Sequence, residues 1–166
     1  MDMTPFSDRK TTQIVAQLLV RRAAPMSYLK IIKLLYYLDR EAFRKWGHPV
    51  SYDDFYSMKE GQILSRTLDL VNNDGLPPGE EEPTYWQKHI SPPANYEVNL
   101  LTDEAPDDEL SDAEIDLIDE IWNMHGHKTR WELRDEHHKL PEYVETTSRV
   151  ATSYEMILEK MGKSTS

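Results

Sequence analysis

The sequence predicts a mainly α fold with a small antiparallel β-sheet, an α+β protein built as a single compact helical domain. Three observations carry this. Within a helix expected over residues 27–46, Ile31, Ile32 and residues 34–38 leave almost no polar face, the pattern of a helix buried on most sides. Two capping boxes, Ser111 with Glu114 and Thr129 with Glu132, open further amphipathic segments. Short aromatic-rich runs bounded by Gly, Pro and Asn lie between these helical segments and read as strands. A length of 166 residues, 39% of them apolar, suits one domain with a modest core.

In residues 9–22, Ile14, Val15, Leu18 and Leu19 recur at helical spacing, which predicts a first helix with its bases on the opposite face. Ala23-Ala24-Pro25 ends it, because the residue before proline avoids the helical region. Ser27 is a good N-cap for the second helix. Ile31, Ile32, Leu34, Leu35, Tyr36, Tyr37 and Leu38 make this the central helix. Arg44 and Lys45 suit the negative end of its dipole and Gly47 its C-cap. Residues 52–58 predict a strand, Gly61 breaks it, and residues 62–71 predict a helix through Ile63, Leu64, Leu68 and Val71.

Residues 73–79 read as a loop, continued by an acidic patch at Glu80, Glu81 and Glu82. Residues 85–90 and 96–101 predict two strands that complete a three-stranded antiparallel sheet with residues 52–58. The helix after Ser111 buries Ile115, Ile118, Ile121 and Trp122 and ends at Gly126. The helix after Thr129 runs to about His138 and stops before Pro141. Tyr154, Ile157, Leu158 and Met161 share one face of a last helix, closed by Gly162, and residues 163–166 form a flexible tail.

The net charge of −11 is unevenly spread. Residues 9–46 carry a net +7 and the remainder −18; residues 102–120 hold ten acids and no base. The acid excess disfavours non-specific binding to nucleic acid or anionic membrane, although the basic N-terminal third keeps a local anionic contact open. The acidic run reads as a solvated face, or as a docking surface for a basic partner. With no cysteine there is no disulfide and no thiolate chemistry. The first ten residues lack the apolar stretch of a secretory signal, and no run reaches membrane-spanning length. A cytoplasmic protein is expected.

No catalytic, cofactor-binding or metal-binding pattern stands out. His125, His127, His137 and His138 fall within fourteen residues but match no zinc motif. The six glycines form no phosphate-binding loop, and no serine sits in a nucleophile elbow. An enzyme whose site carries no sequence mark stays open. Two N-terminal helices followed by a small sheet resemble a winged-helix plan, yet the second helix is too apolar to read base edges.

The order of motifs is more specific than any residue. Lys33-Leu34-Leu35-Tyr36-Tyr37-Leu38-Asp39-Arg40, then Gly47-His48-Pro49-Val50, then Tyr56-Ser57-Met58-Lys59-Glu60-Gly61 resembles the Panacea domain, the SocA-like antitoxin family often carried by phages and other mobile elements. Leu110-Ser111-Asp112-Ala113-Glu114, Trp131-Glu132-Leu133 and His138-Lys139-Leu140-Pro141-Glu142 resemble its second half, so the likeness covers about residues 10–160 of a single domain spanning 1–166. Where members often have a Gly-Pro pair, this chain has Gly61-Gln62.

The resemblance implies a non-enzymatic antitoxin that neutralises a toxin encoded by an adjacent gene through direct protein binding. For some relatives it also implies delivery of the toxin to a cellular protease. No cofactor and no membrane partner are expected, and nucleic acid is disfavoured. The expected partner contacts lie around the sheet and the helix after it, at Tyr56, Lys59, Gln62 and Arg66. Asp39 and Arg40 belong to the motif and have a structural alternative. The competing reading is a DNA-binding transcriptional regulator of a mobile-element or phage operon.

Overall fold

The computed structural model describes residues 6–72 and 82–162. The expected loop at 73–79, Glu80, Glu81 and the tail at 163–166 lie outside the described residues. The described elements run in the order α1 (Asp8–Arg22), β1 (Met26–Ser27), α2 (Tyr28–Trp46), β2 (Phe55–Met58), β3 (Gly61–Leu64), α3 (Ser65–Asn72), α4 (Tyr85–His89), β4 (Glu97–Val98), α5 (Asp112–His125), α6 (Arg130–His138), β5 (Arg149–Thr152) and α7 (Tyr154–Lys160). The fold is α+β, with small antiparallel sheets of two and three strands. None of its described helices is long and apolar enough to cross a membrane.

α2 occupies the centre. The Ser27 hydroxyl accepts from the Lys30 N–H, and Gly47 closes the helix at φ 78. This left-handed conformation is cheap only for glycine. Ile31, Ile32, Leu34, Leu35, Tyr36 and Phe43 are buried, and the helix packs on α5, α6, α7 and β3. α1 departs from the expected amphipathic pattern. Residues 11–19 are all buried, including Thr11, Thr12, Gln13 and Gln17, because α4 and α5 cover it. Its bases stand at the ends, not along an exposed face.

The larger sheet also differs from expectation. Its order is β3-β2-β5; residues 85–90 and 96–101 take no part. β2 and β3 form a hairpin in which Met58 faces Gly61 and Phe55 faces Leu64. Residues 61–64 are therefore a strand, and the helix starts only at Ser65. All four β3 residues are buried, so their apolar run reads equally well as helix or buried strand. β5 pairs with β2 from across the chain. Residues 85–89 are helical because Thr84 and Gln87 form a capping box. Of residues 96–101, Glu97 and Val98 pair with β1, and Leu100 makes an isolated bridge to Ile90.

The other capping boxes form as expected, with Ser111 and Glu114 opening α5 and Thr129 and Glu132 opening α6. The acidic run is not simply a solvated face. Arg9 meets Asp108 at 2.8 Å, Lys10 meets Glu114 at 2.8 Å, and Arg21 meets Asp119 at 2.6 Å. Lys45 lies 3.5 Å from Glu120. Much of the charge split in the sequence is thus the two halves of one intramolecular seam.

Candidate functional site

The β2–β3 hairpin turns at Lys59 and Glu60 and forms one wall of an open cleft of about 800 Å³, whose other walls come from Arg134, His138, Tyr143 and residues 145–147. The end of α6 and the segment after it hold this hairpin. His138 Nε2 donates to the Lys59 carbonyl at 2.7 Å, the Tyr143 hydroxyl donates to the Met58 carbonyl at 2.7 Å, and the Val144 N–H donates to Ser57 Oγ at 3.0 Å. The His138 and Tyr143 rings pack together with centroids 4.7 Å apart.

Behind the turn lie two buried polar side chains. Lys33 comes from the apolar face of α2 and His137 from α6; they are 1% and 0% exposed. A Cβ at Gly61 would come within 3.0 Å of both Lys33 Nζ and His137 Cβ. His137 Nδ1 accepts from the Gln62 N–H at 3.3 Å, which leaves the neutral ring its proton on Nε2. Among the described residues, Lys33 Nζ and His137 Nε2 find no partner at good hydrogen-bond geometry, although the Lys33 backbone lies close enough to the His137 ring to favour its protonated form. Burial pulls the Lys33 amine down to about 8 against the pull of Glu60. Burial, then the neighbouring Lys33 charge, holds the His137 ring well below the usual imidazole range. A proline at position 62 could not make the bond to His137.

A second junction binds α2 to the same segment. Glu142 is 1% exposed and accepts from the Tyr36 hydroxyl at 2.6 Å and from Arg40 Nε at 2.7 Å. Burial, followed by Glu142, raises the Tyr36 phenol well above its ordinary value.

The six expected contact residues do not gather in one patch. Tyr56 lies half-buried on β2 with the Arg149 guanidinium 3.9 Å from its ring centre. Lys59 is exposed in the cleft. Arg66 is the second residue of α3 and reaches Asp54 at 3.1 Å, so it marks the opposite end of β2 from Lys59. Gln62 is buried; its amide donates to Ser57 Oγ at 3.1 Å. Asp39 is buried and accepts from the Val50 and Ser51 N–H groups at 2.8 and 2.9 Å, fixing the turn after α2; burial pushes its carboxyl up to about 6. Arg40 is committed to Glu142. In the sequence His137 stands out only as one of four histidines that match no zinc motif, Lys33 only as the start of the motif, and Arg134 not at all. The available signal was Lys33 itself, a base within an otherwise apolar stretch.

Residues 31–143 match the family described as Antitoxin SocA-like, Panacea domain. The chain belongs to this family. The Panacea match begins in α2 and ends at Tyr143, so it contains the hairpin, Lys33, His137 and Glu142. α1, β5 and α7 lie outside the matched residues, as do the residues 145–147 that complete the cleft. No curated protein and no solved structure matches the chain.

Proposed function

We propose that this Panacea domain is an antitoxin that neutralises a toxin encoded by an adjacent gene by binding it directly and without catalysis. Family membership over residues 31–143 carries the reading. The contact surface runs along the outer side of β2 and β5, from Lys59 in the cleft past Tyr56 and Arg149 to Arg66. A second groove, of about 340 Å³, opens there between Asp54, Tyr56, Ala151, Ser153 and Met156. Lys59 and Arg66 flank the two ends of β2, whose four residues span about 13 Å at the usual rise per residue. That span fits an extended segment of a partner. Gln62 and Asp39 act from inside, holding β3 and the turn after α2. Charge at the two ends selects the partner and speeds encounter more than it adds affinity.

The DNA-binding alternative needs the basic N-terminal third at the surface. Pairing of Arg9, Lys10, Arg21 and Lys45 with acids favours the protein-binding reading. Co-expression with the neighbouring gene product tests it. Growth rescue with co-purification is the expected result, and a neighbour that is harmless alone would remove the basis of the proposal. The Lys59→Glu, Arg66→Glu double variant, with folding checked by circular dichroism, should then bind the toxin at least about tenfold more weakly by calorimetry. Unchanged affinity would move the contact elsewhere.

A further inference from the structure

We infer that the start of α6 and the turn at residues 94–97 form a second docking surface, for an acidic, aromatic-bearing segment of a partner protein. This inference does not depend on the antitoxin reading. Its residues are Tyr96, Arg130, Trp131 and Arg134. Tyr96 is 63% exposed and Trp131 49%, among the largest aromatic surfaces left in the described chain. The Arg130 guanidinium lies 4.2 Å from the Trp131 ring centre and 5.9 Å from that of Tyr96, and Arg134 lies 5.0 Å from Trp131. Aromatics joined by stacked arginines are the composition of energetic centres in protein interfaces.

Two features of this patch work against stability. Ala94 and Glu97 exchange backbone bonds at 2.9 and 3.0 Å, closing a two-residue turn with Asn95 at φ 54 and Tyr96 at φ 65. Such turns favour Asn-Gly. Asn95 fits, but Tyr96 stands where glycine is preferred. Arg130 occupies the first position of α6, where the helix dipole favours acids. Among the described residues it makes no ion pair, as is true of Arg22 and Arg149. Arg134, one turn further on, already meets Asp135 at 3.0 Å and Glu60 at 3.6 Å, so Arg130 is the cation of this patch left for a partner. A stacked guanidinium keeps its planar N–H edge for in-plane carboxylate recognition. An unpaired cation at a positive helix end, flanked by exposed rings, matches carboxylates next to an aromatic side chain.

The test titrates isotope-labelled protein with a short synthetic peptide of alternating glutamate and phenylalanine. A lysine–phenylalanine peptide and an oligo(dT) strand serve as controls, and NMR shifts are the readout. The acidic peptide should move the Trp131 indole and Tyr96 signals. Arg130→Glu and Trp131→Ala should each weaken its binding about tenfold or more. Arg130→Glu and Tyr96→Gly should melt no lower than the parent, because both remove an unfavourable local feature. That separates docking from folding. Absent shifts at the patch, equal shifts with the lysine peptide, or affinity undiminished in both variants would overturn the proposal. So would preferential binding of oligo(dT), which would assign the patch to single-stranded nucleic acid.

Discussion

Along the seam between α1 and α5 with the segment before it, Arg9, Arg21 and Lys10 meet Asp108, Asp119 and Glu114 at or near the surface. Between α2 and the segment after α6, Tyr36 and Arg40 meet Glu142 where hardly any water reaches. Both seams join the N-terminal helices to the C-terminal half with polar side chains. At the first, water and salt compensate any pair that is lost. At the second, each group depends on its partner. The family match covers the second seam completely and omits α1 from the first. The expected ranking of substitutions follows from that difference in solvation.

Glu142→Ala should have the largest effect. It leaves the Tyr36 hydroxyl and the Arg40 guanidinium without their acceptor, and breaking a buried pair from one side costs about 3–5 kcal/mol. Part of Arg40 reaches solvent, so the low end of that range is expected in denaturant unfolding. A loss below about 1 kcal/mol would mean that this seam behaves like the exposed one.

Lys33→Met comes next and carries the opposite sign at neutral pH. The folded amine titrates at about 8 against an ordinary 10.5. Between those values the unfolded chain binds more protons, so stability rises with pH. Below about pH 8 the whole penalty is present; it is relieved as the pH climbs towards 10.5. The gap corresponds to about 3 kcal/mol. The raised phenols of Tyr36, Tyr37 and Tyr154 act in the other direction at high pH, but both proteins contain them. The variant should therefore be more stable than the parent at pH 7, with its advantage shrinking towards pH 10. A pH-independent difference would show that the Lys33 charge is already compensated.

The two seams also differed in how far the sequence disclosed them. The α5 side was legible, since Ser111 with Glu114 and the 3.6-residue spacing of Ile115, Ile118 and Ile121 are local signals. Gly47 at the end of α2 was legible for the same reason. β3 was not, because Ile63, Leu64, Leu68 and Val71 fit a helical period and only the pairing with β2 decides otherwise. Nor was β5, whose Arg-Val-Ala-Thr run becomes a strand through residues almost a hundred positions earlier. Thr84 with Gln87 was a local signal that the aromatic residues nearby obscured. Of the expected contact residues, Lys59 is exposed and Tyr56 half-buried on the hairpin. Burial of Gln62 and Asp39 could not be anticipated, because a polar residue does not declare in sequence whether its partners lie within the chain.

Gly61→Ala is expected to cost less than Glu142→Ala. At φ +111 with a Cβ only 3.0 Å from His137 and Lys33, alanine is both strained and crowded, for about 1–3 kcal/mol. Gly47→Ala is the control, with φ +78 and open space around it; it should cost about 1 kcal/mol from backbone strain alone. Equal losses in thermal melts would mean that the Lys33–His137 cluster yields to accommodate a side chain beneath the hairpin.

The smallest effect belongs to the exposed seam. Arg21 and Asp119 meet at 2.6 Å, but the Asp119 side chain is 53% exposed. Double-mutant cycles of such pairs give about 0.2–1 kcal/mol, and added salt should reduce the coupling further. The same cycle on Arg40 and Glu142 should give a larger coupling that salt hardly changes. If the two couplings respond alike to salt, solvation is not what separates the seams. The greater weight of the Glu142 junction would then have to come from Tyr36, whose hydroxyl shares the same carboxylate oxygen and has no counterpart in the Arg21–Asp119 pair.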